Sequence, residues 1–132
     1  MASVQREITT KAGVDDVWSA IRDVGALHTR LVPGFVIDTK LEGAVRIVTF
    51  GNGMVVREPI VTIDDQARRL VWAAEGNITK HYNASVQVSA NDDGSSKVVW
   101  IADFLPVGAA SVISTAIEAG MAVMKRTLDG LA

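Results

Sequence analysis

Tyr82 is a candidate for chemistry because it stands on the apolar side of an alternating segment, HYNASVQVSA, at residues 81–90. Alternation with a period of two is typical of a β-strand with one buried face. A hydroxyl group beside the small side chain of Ala84 indicates the wall of a binding cavity. The alternative is a core tyrosine whose hydroxyl is hydrogen-bonded to the backbone.

Arg46 and Glu58 form a second candidate, because they flank the hairpin signal GNG at residues 51–53. A turn centred on Asn52 places them opposite each other, whereas a two-residue loop puts them on different faces. Inside an apolar cavity the pair could bind a carboxylate or keto oxygen, with Glu58 as a base of raised pKa. On a solvated face it would be an ion pair worth at most about 1 kcal/mol. The sequence leaves both interpretations open.

Other catalytic chemistry finds little support in the sequence. Cysteine is absent, so there is no thiol nucleophile, thiolate zinc site or disulfide framework. His28 and His81 are far apart and have no carboxylate at ligand spacing, which predicts no metal site. The chain lacks a G-x-S-x-G motif, and GNGMVV is followed by a strand pattern, which argues against a phosphate loop. We expect no cofactor.

Composition indicates a globular domain. The chain has 132 residues, 48% of them apolar, and a net charge of −2. This size suits one domain over residues 1–132, and the charge favours neither nucleic acid nor an anionic membrane as partner. We find no signal-peptide core and no apolar run long enough to span a bilayer, and we expect no membrane insertion. We therefore expect a cytoplasmic protein, in agreement with the absence of cysteine.

The order of predicted elements sets the fold class. A short strand at residues 4–10 precedes a helical stripe at 14–24, and a turn or second short helix follows. Six alternating segments joined by tight turns come next, and residues 110–131 have the spacing of a long amphipathic helix. This predicts an α+β protein in which a curved seven-stranded antiparallel sheet wraps around the C-terminal helix.

This order resembles the helix-grip fold of the START-like, or SRPBCC, superfamily, which includes polyketide cyclase/dehydrase-like proteins and plant hormone receptors. The likeness rests on VWSAIRDVGAL after the first strand, on GAVR at 43–46, on REPI at 57–60 running to Asp64 and Asp65, and on KVVWIADFLP before the helix. The resemblance implies an apolar cavity between the sheet and the helix, which holds lipids, polyketides or other hydrophobic molecules.

Cross-strand pairing locates that cavity. If the turn NDDGSS pairs Val88 with Val98, then Ala84 faces Ala102 and Tyr82 faces Phe104. The two alanines leave a gap, which either helix side chains or a ligand must fill. Gly120 in the helix also indicates a close approach to its backbone, because glycine costs a helix about 1 kcal/mol relative to alanine. We predict that the ligand contacts Phe35, Arg46, Glu58, Trp72, Tyr82, Ala84, Trp100, Ala102, Phe104, Ile117, Met121 and Met124.

Within this likeness, Tyr82 and Glu58 match ligand-contacting positions of the hormone receptors, which favours an inward-facing Glu58. Those receptors anchor a ligand carboxylate with a lysine where this chain has Val32, so the resemblance does not imply the same acidic hormone.

Three functions remain open. The first is binding or carriage of a small hydrophobic molecule. The second is an enzyme of the cyclase/dehydratase or isomerase type, with Tyr82 as acid, Glu58 as base and Arg46 stabilising an enolate or alkoxide. The third is an interaction module whose loop TFGNGM closes over a ligand. A homodimer through the outer sheet face or first strand is also possible.

Overall fold

Residues 1–76 and 78–132 are the part of the chain that the computed structural model describes. Within it, seven strands form one antiparallel sheet, and a long helix follows the last strand. The elements are β1 (Ala2–Thr10), α1 (Val14–Arg22), a 3₁₀ turn (Val24–Ala26), a π-helical turn (Leu27–Leu31), β2 (Val36–Glu42), β3 (Val45–Phe50), β4 (Val55–Asp64), β5 (Arg69–Ala73), β6 (His81–Ala90), β7 (Ser96–Leu105), a 3₁₀ turn (Val107–Ala109) and α2 (Ala110–Asp129).

The sheet is a meander from β2 to β7, and β1 is added at its end by pairing with β7. The strand order β1-β7-β6-β5-β4-β3-β2 therefore leaves β1 and β2 as the two edges. Consecutive strands joined by tight turns can pair only in the antiparallel sense, which explains this topology. The predicted helix-grip architecture is confirmed.

The predicted β6–β7 register is confirmed at each pair named above. Val88 pairs with Val98, and Tyr82 pairs with Phe104. The turn between the strands is closed by a hydrogen bond from Asn91 N to Ser95 O, with Gly94 at a φ of 87°.

The β3–β4 turn is centred on Asn52, which settles the alternative left open by the sequence. Thr49 pairs with Val55, and Arg46 pairs with Glu58. Gly53 takes a φ of 88°, a conformation that glycine adopts without strain. The turn GNG, closed by a hydrogen bond from Phe50 N to Met54 O, thus puts both charged side chains on the same face of the sheet.

Helix α1 ends at Arg22, just before Gly25, and is held to the β4–β5 turn. The Trp18 indole donates a hydrogen bond of 2.9 Å to Asp65 Oδ1, and Arg22 Nε donates one of 2.7 Å to the same oxygen. This attachment positions the two short turns that follow α1, which form part of the site described below.

The C-terminal end of α2 is attached to β1. Asp129 Oδ1 accepts hydrogen bonds from the Thr10 hydroxyl at 2.7 Å and from the Lys11 backbone N–H at 2.9 Å. Lys125 Nζ donates to the Thr9 carbonyl at 2.6 Å. These contacts bring the C-terminal half of the helix close to one edge of the sheet.

The segment Val107–Asp129 is long and apolar enough, by length and composition, to cross a membrane. By this criterion, the expectation that no apolar run is long enough to span a bilayer is wrong. In the fold, Ile113, Ile117, Met121 and Leu128 on this helix are buried in the hydrophobic core. The apolar stripe is therefore accounted for by packing against the sheet.

Candidate functional site

A cavity of about 540 Å³ lies between the sheet and α2. Its walls come from strands β2 to β7, from α1 and the turns after it, and from one side of α2. Apolar side chains dominate the wall. The lining residues are Ile21, Leu27, Leu31, Val32, Gly34, Phe35, Val36, Arg46, Phe50, Gly51, Asn52, Met54, Val56, Glu58, Leu70, Trp72, Ala74, Ile78, Tyr82, Val86, Trp100, Val112, Ile113, Ala116, Ile117 and Met124.

Aromatic side chains are concentrated on this wall. Five of the seven aromatic residues of the chain line the cavity: Phe35, Phe50, Trp72, Tyr82 and Trp100. Flat rigid rings offer large contact areas at low entropic cost. The wall is therefore suited to a flat hydrophobic guest.

Arg46 and Glu58 form a buried ion pair on the cavity wall. Arg46 is 2% exposed and Glu58 is 7% exposed. Arg46 Nε donates to Glu58 Oε1 at 2.9 Å, and Arg46 Nη2 lies 2.8 Å from the same oxygen. The Arg46 guanidinium carbon also lies 5.5 Å from the centre of the Trp72 ring, within range of a cation–π interaction.

The electrostatics of the pair follow from its burial. Loss of water raises the pKa of the Glu58 carboxyl above its ordinary value, and the charge of Arg46 offsets part of that rise. Both contacts of the Arg46 guanidinium reach Glu58 Oε1. Among the described residues, no hydrogen bond to Glu58 Oε2 is found. Glu58 therefore keeps one oxygen that can accept a hydrogen bond from a guest.

The Tyr82 hydroxyl belongs to the same polar region. Burial raises the pKa of this hydroxyl far above the ordinary value, and the negative charge of Glu58 raises it further. A polar contact with the Trp100 side chain lowers the same pKa in part. Tyr82 is thus a protonated hydrogen-bonding group at neutral pH. The Trp100 indole N–H is buried, and within the described part of the chain it donates no hydrogen bond of good geometry.

Gly120 allows α2 to approach the sheet closely. A Cβ atom at this position would lie 3.2 Å from Phe35 Cε2 and 3.2 Å from Trp100 Cζ3. The two rings that reach the helix backbone are themselves part of the cavity wall. The expected close approach at Gly120 is therefore made by side chains of the protein.

Eight of the predicted ligand contacts lie on the cavity wall: Phe35, Arg46, Glu58, Trp72, Tyr82, Trp100, Ile117 and Met124.

The placement of the other four is a correction. Ala84, Ala102, Phe104 and Met121 are buried in the core and do not line the cavity. Ala102 pairs with Val4 of β1, the strand to which α2 is attached. Ala84 and Ala102 are buried in the core cluster that also contains Ile117 and Met121 of α2, so protein side chains pack around both alanines.

Several lining residues were not found from the sequence. Leu27 and Leu31 come from the π-helical turn, where a spacing of four residues was the available signal. Met54, Ile78 and Val112 line the cavity yet are exposed, so they mark its mouth. Their positions in a loop, a strand connection and a first helical turn carry no periodic pattern.

Two loops meet at this mouth through a close backbone contact. The Gly51 N–H donates to the Phe35 carbonyl at 2.9 Å. The Phe35 and Phe50 rings pack edge to face at 5.5 Å between centroids. A Cβ atom at Gly51 would lie 2.5 Å from the Gly34 carbonyl oxygen, a backbone atom that cannot turn aside as a side chain would.

We expect Gly51→Ala to lower the free energy of unfolding by about 1–3 kcal/mol, because one of the two loops must shift to admit the methyl group. Urea unfolding measures this. Gly108→Ala is the control, since a Cβ atom there would meet nothing within 4 Å. Equal stability of the two variants would contradict the close packing of these loops.

The whole chain, residues 1–132, matches the family described as "Polyketide cyclase / dehydrase and lipid transport". The chain belongs to this polyketide cyclase / dehydrase and lipid transport family. No curated protein matches the sequence.

Solved structures agree with the family assignment. An uncharacterized protein from Bacillus thuringiensis superposes with a TM-score of 0.87 at 19% identity, covering 96% of this chain and 98% of the other. A START superfamily protein from Mycobacterium smegmatis gives 0.76 at 10% identity, with 97% and 94% covered. An aromatase/cyclase from Streptomyces sp. R1128 gives 0.74 at 17% identity, with 98% and 92% covered. The family match confirms the predicted likeness to polyketide cyclase/dehydrase-like proteins, and the solved structures, at these identities, establish the fold alone.

In this member of the polyketide cyclase / dehydrase and lipid transport family, Val32 is buried and lines the cavity. The position that the receptor likeness associates with a lysine is therefore part of an apolar wall. Arg46 is the one cationic side chain on the cavity wall among the described residues.

Proposed function

We propose that the chain binds a small hydrophobic molecule, such as a lipid, a polyketide or an aromatic metabolite, in the cavity between the sheet and α2. The observation that carries this proposal is the apolar cavity of about 540 Å³. Protein cores normally pack without voids of this size, and pockets for small molecules occupy roughly 300–1,000 Å³.

The mouth of the cavity supports the same function. Met54, Ile78 and Val112 are 41%, 54% and 58% exposed and border the opening. Large apolar side chains grouped around an opening are typical of a site that contacts a hydrophobic ligand. An apolar guest can therefore pass from the surface to the interior along apolar contacts.

The first test is native mass spectrometry of the purified protein, combined with thermal unfolding in the presence of a panel of hydrophobic compounds. A ligand at about 100 times its Kd should stabilise the folded state by about 2.7 kcal/mol. Co-purifying mass or a concentration-dependent rise in Tm supports the proposal. Absence of both across lipids, polyketides and aromatic compounds contradicts it.

Ala116→Trp is expected to weaken ligand binding by at least about tenfold, because the indole would occupy the mouth of the cavity. Ala116 is exposed and lines the cavity. Ala119→Trp is the matched control, since Ala119 is exposed on the same helix and does not line the cavity. Isothermal titration calorimetry with any ligand found above gives the two affinities. Equal weakening by both substitutions would contradict the placement of the site.

A second candidate function is an enzyme of the cyclase/dehydratase or isomerase type. The specific observation in its favour is that Arg46, Glu58 and Tyr82 all lie on the wall of one cavity. Glu58, whose pKa burial raises, would serve as the base, Tyr82 as a proton donor, and Arg46 as the group that stabilises a developing oxyanion.

Glu58→Gln separates the two functions. A base is lost while the shape of the cavity is kept, so an enzyme would lose turnover by about 10²–10⁴-fold and still bind its substrate. A binding protein would show no turnover with either form. The assay follows the product of a bound ligand by liquid chromatography and mass spectrometry.

A further inference from the structure

The charges on the cavity wall balance. Among the described residues that line it, Arg46 is the one cation and Glu58 is the one anion, and they are paired with each other at 2.8 Å. Both are almost fully buried. A buried pair is stable only while each charge keeps its partner, because an unpaired charge in an apolar environment is strongly destabilised.

A charged guest would disturb this balance. A ligand carboxylate would compete with Glu58 for the single guanidinium and leave two anions against one cation. A ligand ammonium would leave two cations against one carboxylate, and Arg46 already lies over the face of Trp72, where such a cation would bind. A charged ligand group of either sign would lose its water, and the one residue of opposite charge on the wall would already be paired.

Uncharged hydrogen-bonding groups have a place in the same region. Glu58 Oε2 accepts no hydrogen bond from Arg46, and Tyr82 lines the same wall, with its hydroxyl near enough for the charge of Glu58 to raise its pKa. A hydroxyl group can donate to the carboxylate oxygen, and a carbonyl can accept from the phenol. The rest of the guest would contact the five aromatic rings of the wall.

From this geometry we infer that the ligand is an uncharged, largely aromatic molecule that carries a hydroxyl or carbonyl group, and that this group lies beside Glu58 and Tyr82. The inference rests on the proposed binding function and adds the charge and polar group of the ligand. It excludes free fatty acids, aromatic carboxylates and amines from the preferred ligands.

A matched series of bicyclic probes tests it: 2-naphthol, naphthalene, 2-naphthoate and 2-naphthylmethylammonium, each titrated by calorimetry at neutral pH. We expect 2-naphthol to bind most tightly, with both charged probes weaker by at least about tenfold. Naphthalene should also be weaker, since it makes no hydrogen bond. A carboxylate or amine bound as tightly as the naphthol overturns the inference while leaving the binding function intact. Failure of all four to bind also overturns the inference, whereas the binding function itself is decided by the wider panel of lipids, polyketides and aromatic compounds.

Glu58→Gln adds a test in which the expected result is a gain of affinity, which a misfolded protein would not show. The substitution removes the counter-ion of Arg46, so the affinity for 2-naphthoate should rise by at least about tenfold. Glu118→Gln is the control, because Glu118 is an exposed α2 residue paired with Arg6 and does not line the cavity. Unchanged 2-naphthoate affinity in a folded Glu58→Gln protein would overturn the inference. If that variant does not fold, the wild-type series decides the question alone.

Discussion

Glu58→Leu is expected to lower the free energy of unfolding by about 3–5 kcal/mol, because it leaves the guanidinium of Arg46 buried without a counter-ion. Arg46 is 2% exposed, and its one ion-pair partner among the described residues is Glu58. A guanidinium stays protonated at all accessible pH values, so the protein cannot relieve the cost by losing the proton. The Glu58→Leu variant has no group at this site that titrates between about pH 4 and pH 8, so the site adds no pH dependence to the stability of the variant.

Arg46→Met should behave differently, because a carboxyl group can become neutral. The guanidinium offsets part of the rise that burial causes in the pKa of Glu58, so its removal raises that pKa further. Below the ordinary carboxyl pKa of about 4.3 both folded and unfolded chains bind the proton, and the charge costs nothing. Above it the folded state alone keeps the proton, so stability falls as the pH rises.

Urea unfolding of both variants and of the Arg46→Met/Glu58→Leu double variant, between about pH 4 and pH 8, measures these effects. We expect the double variant to recover to within about 1 kcal/mol of the parent, because apolar side chains of similar volume can replace a buried pair. Additive losses in the double variant would show that the two charges do not depend on each other.

Phe104→Ala is expected to cost about 3–5 kcal/mol of folding free energy, while Phe35→Ala should cost less and mainly weaken ligand binding. Phe104 is fully buried in the core and does not line the cavity. Phe35 is partly buried and lies on the cavity wall. Both substitutions remove a phenyl ring, in one case from the packed core and in the other from the wall of the cavity.

Urea unfolding gives the stabilities, and calorimetry with 2-naphthol gives the affinities. The effect of position 104 on ligand affinity is best measured in Phe104→Leu, because leucine preserves more of the side-chain volume than alanine does. This variant should keep the parental affinity for 2-naphthol. A larger loss of affinity in Phe104→Leu than in Phe35→Ala would mean that the ligand contacts the part of the sheet that we describe as packed.

The register between β6 and β7 could be predicted from local patterns alone. Alternation over β6 and β7, with a Gly-containing turn between them, leaves one register that buries both apolar faces. The pairing of Arg46 with Glu58 needed one more fact, the number of residues in the turn around Asn52. Loop length decides the face of each side chain there, and the residue types GNG permit more than one length.

The position of the cavity within the sheet could not be predicted in the same way. Ala84 and Ala102 are small and face the interior, yet both are packed within the core cluster that also contains Ile117 and Met121 of α2. The empty region lies instead toward Phe35 and Trp100, whose rings reach Gly120. Which part of a sheet a helix covers depends on contacts distant in sequence, and alternation along a strand carries no information about them.

Methionine methyl groups offer the most direct test of a ligand inside this cavity. The chain has four methionines, of which Met124 and Met54 line the cavity, whereas Met1 and Met121 do not. With ¹³C-methyl-methionine protein and bound 2-naphthol, we expect nuclear Overhauser effects from the ring protons to Met124 and none to Met121. Effects at Met121 or Met1 in the absence of any at Met124 would contradict binding between the sheet and α2.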